Sequence, residues 1–218
     1  VGLLIAAGYG RRFDPTGRRS KLEERIAGEM VAVRTARALL AGCDRVIAAL
    51  RPESTVLAAA LEQAGCEITW VSGPEGMGTS IGCGARAALA SGTGAGPDLR
   101  SQTRSDLRPE PPPDQRSDAR LGALLVQPAD MPWLTAATVR LLATTIAPRG
   151  ESIALPVFRG QDGHPVRFDA SLAPKLAALS GERGARILLQ RHPTHRIPVN
   201  DAGVVRDLDT PADLDSPA

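Results

Sequence analysis

Ala6-Ala7-Gly8-Tyr9-Gly10-Arg11-Arg12-Phe13 follows a short apolar run, and Lys21 stands a polar stretch beyond it. Glycines at such a turn let backbone N–H groups approach phosphate oxygens, and Arg12 and Lys21 add fixed positive charge. The dinucleotide pattern G-x-G-x-x-G fails because Phe13 occupies the place of the third glycine, and G-x-x-x-x-G-K-[ST] is absent. What is left suits a triphosphate whose pyrophosphate must leave. A plain turn with solvated arginines is the alternative.

Four further stretches carry groups of the same kind. In Gln127-Pro128-Ala129-Asp130-Met131-Pro132, Asp130 lies just past the most apolar run of the chain. A carboxylate there can hold Mg²⁺ against phosphate oxygens, or simply cap a turn. Gly73-Pro74-Glu75-Gly76-Met77-Gly78-Thr79-Ser80 opens a helix. Its small residues permit close approach of a base or ribose, and an ordinary helix start explains them as well. Asp207 and Asp209 sit two apart in a stretch of β character, on one face of a strand, as a second contact to a metal would require. Thr210-Pro211 then reads as a helix start. His164, in Gly160-Gln161-Asp162-Gly163-His164-Pro165, is placed to touch an acceptor or to serve as a plain hydrogen-bonding side chain.

The elements that must position these groups alternate. Leu3–Ala6, Arg45–Leu50, Glu67–Val71, Leu121–Val126, Ser152–Val157 and Val166–Phe168 read as strands. Between them, Met30–Leu40, a stripe from Val56 to Ala64 and Ser80–Leu89 read as helices. So does a segment capped by Thr135 that carries Val139, Leu142, Ala143 and Ile146. Leu172, Leu176 and Leu179 mark another helix, a short one follows Glu182, and His195–Val199 and Val204–Leu208 close the chain with β character. Apolar strands alternating with amphipathic helices imply a mostly parallel sheet covered on both faces, with ligands beyond the carboxyl ends of its strands.

The segment from Ser91 to Arg120 breaks the pattern. Leu99 and Leu107 are nearly its only apolar residues, five arginines balance five acids, and Pro97, Pro109, Pro111, Pro112 and Pro113 oppose regular structure. It reads as a flexible surface insertion, a tolerated loop expansion rather than a docking element.

Composition narrows the class. The 218 residues suit one α/β domain, 43% are hydrophobic and only 3% aromatic, so the core is built from Ala, Leu, Val and Ile. A net charge of +2 gives no reason to expect nucleic acid or an anionic membrane as partner. No apolar run approaches membrane-spanning length, and the opening Val1–Ala7 reads as a buried strand rather than a leader. Cys43, Cys66 and Cys83 form no metal or C-x-x-C pattern and read as buried thiols of a reducing compartment, hence a cytoplasmic expectation.

Taken in order, A-A-G-x-G-x-R-F with a downstream Lys, G-M-G-x-S, A-D-M-P, G-x-x-G-H-P-V, G-x-R-G-A-R and D-x-D-T-P-x-D resemble the MobA-like NTP transferases. Within them, the likeness is to the molybdenum cofactor cytidylyltransferase branch. It runs along the chain apart from residues 91–120. It implies a Rossmann-like three-layer α/β/α nucleotidyltransferase fold with a mostly parallel central sheet, one domain over residues 1–218. It also implies Mg²⁺-dependent transfer of CMP from CTP to the phosphate of molybdopterin, with release of pyrophosphate. GTP or another phosphorylated acceptor is the nearest alternative, and a non-catalytic molybdopterin carrier the more distant one. On the same resemblance Ala6, Ala7, Gly8, Gly10, Gly76, Gly78 and Ser80 contact the nucleotide. Arg12 and Lys21 do so too and act in catalysis with Asp130. Asp130 and Asp209 hold the metal, and His164 and Asp207 face the acceptor. Ala6-Ala7-Gly8 favours CTP over GTP, since guanylyltransferase relatives often carry A-G-G there. A molybdoenzyme or its maturation factor is the implied protein partner. Two departures stand out: Asp14–Arg19 lengthen the stretch before Lys21, and Glu23-Glu24-Arg25 follow Lys21-Leu22 where apolar residues are usual.

Overall fold

The computed structural model describes residues 1–16, 18–90, 121–148 and 150–215. The insertion read at Ser91–Arg120 lies outside the described residues. In chain order the elements are β1 (Gly2–Ile5), β2 (Arg25–Ile26), β3 (Glu29–Met30), α1 (Val31–Leu40), β4 (Val46–Leu50), α2 (Thr55–Gln63), β5 (Glu67–Trp70) and α3 (Met77–Ala90). They continue with β6 (Ala123–Pro128), α4 (Ala136–Thr144), β7 (Ile153–Phe158), β8 (Gln161–Asp162), β9 (Val166–Asp169), α5 (Ala173–Ala177), α6 (Arg186–Arg191) and β10 (Thr194–Pro198).

The main sheet runs β10-β7-β9-β6-β1-β4-β5, with β8 paired to β7. β1 pairs in parallel with β4 and β6, and β4 with β5. β9 runs antiparallel to both β6 and β7, while β10 lies parallel to β7. The sheet is mixed but mostly parallel, as the fully apolar strands imply.

Alternation along β1 divides the core. Leu4 packs with α1, α2 and α4 through Leu39, Leu57, Leu61, Val139 and Leu142. Leu3 faces the other way, onto Ile81 of α3, Leu176 of α5 and Leu188 of α6. Helices therefore cover both faces, giving the α/β/α layering. Cys43, Cys66 and Cys83 are free and buried; burial pushes the Cys66 thiol up to about 11 and raises Cys43.

Several local readings change. β2 and β3 form a hairpin whose turn residues, Ala27 and Gly28, both have positive φ, the geometry that matches strand twist in two-residue turns. No β-run in the sequence is long enough to reveal it. α3 begins at Met77, three residues before Ser80. Thr135 does cap α4, but the helix stops at Thr144 and Ile146 is 92% exposed. The hydroxyls of Thr144 and Thr145 donate back to the carbonyls of Arg140 and Leu141, which competes with further helix. Val204–Leu208 is not a strand: Ala202–Val205 is a 3₁₀ turn whose N-cap, Asp201, accepts from the Gly203 N–H at 2.9 Å, and residues 206–209 are irregular.

Candidate active site

A cleft of about 530 Å³ opens at the carboxyl ends of β6, β1, β4 and β5. β4 and β6 flank β1 on opposite sides, so this is the point where the strand order reverses, the expected ligand position in such sheets.

The loop after β1 supplies one wall. Ala7, Gly8, Tyr9, Gly10, Arg11 and Arg12 line the cleft, whereas Ala6 is buried beneath it. Gly10 has φ +60, and a Cβ there would lie 3.5 Å from Cγ of Lys21, so the lysine stem passes close over this glycine. The extension before Lys21 is held by its own contacts. Phe13 is buried with Val31 and Leu208. The Asp14 carboxylate accepts from the Thr16 hydroxyl at 2.7 Å and from the Thr16 and Arg19 N–H groups at 2.9 and 2.8 Å. Those bonds, the hydroxyl first, hold Asp14 at about 2. Asp14, Thr16 and Arg19 thus form a bracket ahead of Lys21, which lines the cleft.

At the floor, the Lys21 ammonium lies 2.6 Å from Oδ2 of Asp130 and 3.3 Å from Oδ1 of Asp209. Arg12 reaches the other oxygen of Asp209 at 3.1 Å. Burial works to lower the Lys21 value, but the carboxylates of Asp130 and then Asp209 outweigh it and hold the ammonium above its ordinary range. Asp130 stands one residue beyond Ala129, whose N–H donates to the Ile5 carbonyl at 3.0 Å and keeps the turn attached to β1. Asp209 is fixed from the other side. Asp213 accepts from the N–H groups of Asp209 and Thr210 and from the Thr210 hydroxyl, an arrangement that resembles a capping box. The Thr210 N–H, first, keeps Asp213 below the usual carboxylate range.

The fit to a divalent cation can be judged from the donors. Oδ1 of Asp130 is buried with no hydrogen-bond partner. A second carboxylate, Asp209, meets the same ammonium. Among the described residues no group of three or more His, Cys, Asp or Glu converges on one point. Mg²⁺ is usually held by one or two carboxylates, with phosphates and water completing its shell, so the pair fits that ion.

The Gly73–Ser80 stretch plays two parts. Gly73, Gly76 and Ser80 line the cleft, and Gly78 does not. A Cβ on Gly76, Gly78 or Gly82 would meet the backbone of residues 179–183 at 2.2, 2.6 or 2.3 Å. The Gly78 N–H donates to the Gly181 carbonyl at 2.9 Å, and the Thr79 hydroxyl accepts from the Gly181 N–H at 2.9 Å. This glycine seam lets the G-x-R-G segment pack directly on α3 and brings Glu182 to the cleft. Sequence reasoning assigned these small residues to ligand approach; much of their smallness serves backbone contact.

His164 and Asp207 do not line the cleft. The His164 ring is packed behind Asp130, with burial pushing it below its ordinary value against a hydrogen bond to the Val126 carbonyl and the charges of Asp130 and Asp207. Asp207 is exposed, and since residues 206–209 form no strand, the reading that places it beside Asp209 on a strand face is replaced by an irregular segment with Leu208 buried between them. Arg51 and Glu53 just past β4, and Val71 just past β5, line the cleft and were missed. Their position at the carboxyl ends of two predicted strands was the signal that could have found them.

A family model described as MobA-like NTP transferase domain matches residues 2–197. Among solved structures, Rv0371c from Mycobacterium tuberculosis H37Rv is 22% identical with a TM-score of 0.69, covering 97% of this chain and 94% of that one. The same protein is also known in complex with manganese. A nucleotidyl transferase from Methanothermobacter thermautotroptrophicus is 19% identical with a TM-score of 0.68, covering 97% and 92%. Molybdopterin-guanine dinucleotide biosynthesis protein A from Archaeoglobus fulgidus is 17% identical with a TM-score of 0.59, covering 98% and 94%. No curated protein matched. No helix among the described residues is long and apolar enough to cross a membrane.

Proposed function

The chain belongs to the MobA-like NTP transferase family, and from that premise we propose that it transfers CMP from CTP to the phosphate of molybdopterin, releasing pyrophosphate. The observation that carries the reading is the Lys21–Asp130–Asp209 cluster at the floor of a cleft walled by the Gly8–Gly10 loop. A manganese complex of one structural relative supports the use of a divalent cation.

In this reading Asp130 and Asp209 hold Mg²⁺, which supplies neutralisation of charge on the phosphate oxygens. Gly8 and Gly10 keep the loop free of side chains where the triphosphate approaches. Lys21 and Arg12 neutralise charge as pyrophosphate departs. The acceptor phosphate is already anionic near neutral pH, its second pKa being about 6, so no strong general base is needed and positioning carries the rate. Ala6-Ala7-Gly8 supports CTP over GTP. In the same proposal Gly76 and Ser80 border the nucleotide, with Gly78 supporting them from the seam. His164 acts from behind Asp130, Asp207 lies toward the acceptor, and a molybdoenzyme or its maturation factor receives the product.

The test is Mg²⁺-dependent pyrophosphate release from CTP and from GTP, each with and without molybdenum-loaded molybdopterin. Release with CTP only, and only with the pterin, is the expected result. Release with GTP moves the base choice, release with another phosphorylated acceptor moves the acceptor, and pterin binding without release from any NTP identifies a carrier.

A further inference from the structure

Arg51 lies immediately beyond β4, which stands two places from β6 in the sheet, about 10 Å at about 4.8 Å per strand. The cleft therefore has two ends. Lys21, Asp130 and Asp209 occupy one, while Arg51, Pro52, Glu53, Val71 and Pro74 line the other. The second end has apolar walls and two charged side chains, which suits a flat heterocycle with a polar edge better than a phosphate chain.

The guanidinium there is held in a fixed plane. Its Cζ lies 3.9 Å from the centroid of the Tyr9 ring, and Nη1 lies 3.3 Å from Oε1 of Glu53. Its Nε is buried and donates to nothing. Tyr9 is the only tyrosine of the chain, is 44% exposed, and belongs to the glycine loop that faces the triphosphate. The same loop that brackets the phosphates thus also orients Arg51 by stacking.

A guanidinium offers donors only, in a planar fork, so it selects an edge with two neighbouring acceptors. Cytosine presents O2 and N3 side by side, followed by an exocyclic amino group that a carboxylate can accept from. Uracil has the same outline but carries N3–H, which faces the fork donor to donor. The side chain of Arg51 is 24% exposed and that of Glu53 61% exposed, so the fork is the inner, less screened reader and the carboxylate the outer one. Resting on the nucleotidyltransferase reading above, we infer that Arg51, oriented by Tyr9 and assisted by Glu53, is the residue that selects the base, its fork reading the O2–N3 edge of cytosine.

The test needs no acceptor substrate. Calorimetric binding of CTP, UTP, GTP and inorganic tripolyphosphate, all with Mg²⁺, is compared in the wild type and in Arg51→Lys, which keeps the charge and removes the fork. CTP binding is expected to weaken about 10- to 100-fold and the preference for CTP over UTP to collapse, with tripolyphosphate affinity unchanged. Tyr9→Ala is expected to move the same ratio in the same direction by less. Equal weakening of CTP and tripolyphosphate makes Arg51 a phosphate ligand and overturns the inference, as does an unchanged CTP-to-UTP ratio in both variants. A wild type that binds GTP and not CTP overturns the cytosine edge. Failure of pyrophosphate release with normal, Arg51-dependent CTP binding counts against the transferase proposal and leaves the inference standing.

Discussion

The backbone N–H of Leu208 donates to the carbonyl oxygen of Asp130 at 2.8 Å. Through this bond the turn after β6 and the C-terminal D-x-D segment are joined, so Asp130 and Asp209 reach Lys21 from segments 79 residues apart in the chain. Leu208 itself is fully buried with Phe13, which anchors the loop bearing Lys21. One apolar side chain therefore ties the three segments that form the floor of the cleft.

Asp130→Asn keeps the shape and removes the charge. Pyrophosphate release is expected to fall about 100-fold or more, with the circular dichroism spectrum retained. Near-normal Mg²⁺-dependent turnover in that variant would remove Asp130 from the metal role.

Lys21→Met has two expected effects of opposite sign. Turnover falls, because a cation facing the phosphates is lost. Binding of Mn²⁺ without nucleotide, read by electron paramagnetic resonance, tightens, because the ammonium no longer occupies both carboxylates. Unchanged turnover would shift the cationic role to Arg18 or Arg19. The folded value of Lys21 lies above the usual 10.5, so its contribution to stability is complete below that value and is lost as pH rises through the folded value. An alkaline melting series should bring the wild type toward Lys21→Met; curves that stay parallel would contradict this.

Gly76→Ala and Gly8→Ala separate packing from ligand approach. At Gly76, φ is +134 and a Cβ would stand 2.2 Å from the Gly181 backbone, so the variant is expected to lose about 1–3 kcal/mol in thermal unfolding. At Gly8 a Cβ meets nothing within 4 Å. That variant should melt like the wild type while losing nucleotide affinity, and full affinity would show that the phosphates do not pass there.

His164 titrates against burial. Its folded value lies below the usual 6.5, so the stability it contributes is present above 6.5 and is lost as pH falls toward the folded value. His164→Gln should flatten the acid side of a melting-temperature profile. An identical acid limb in both proteins would assign the loss to other groups.

The layering of the fold was legible because apolar runs and helical stripes alternate cleanly, as at Leu3–Leu4 and Val139–Leu142. Asp130 was legible for the same reason, since it directly follows an apolar strand. The meeting of Lys21 with Asp209 was not, because it joins residues 188 apart through a bracket whose shape depends on Asp14. Val204–Leu208 misled because its apolar residues suit a strand, whereas Asp201 supplies a cap that turns the chain first. Arg51 carried no motif. Its importance rests on strand order and on a stacking partner 42 residues earlier.

The glycine seam between α3 and residues 179–183 leaves one side of the cleft with little to vary. Backbone meets backbone there, and almost any new side chain would pry the two segments apart before it could touch a ligand. Adaptation of this protein to a different nucleotide is therefore channelled to cleft residues outside the seam, Arg51, Glu53 and Val71, just past β4 and β5.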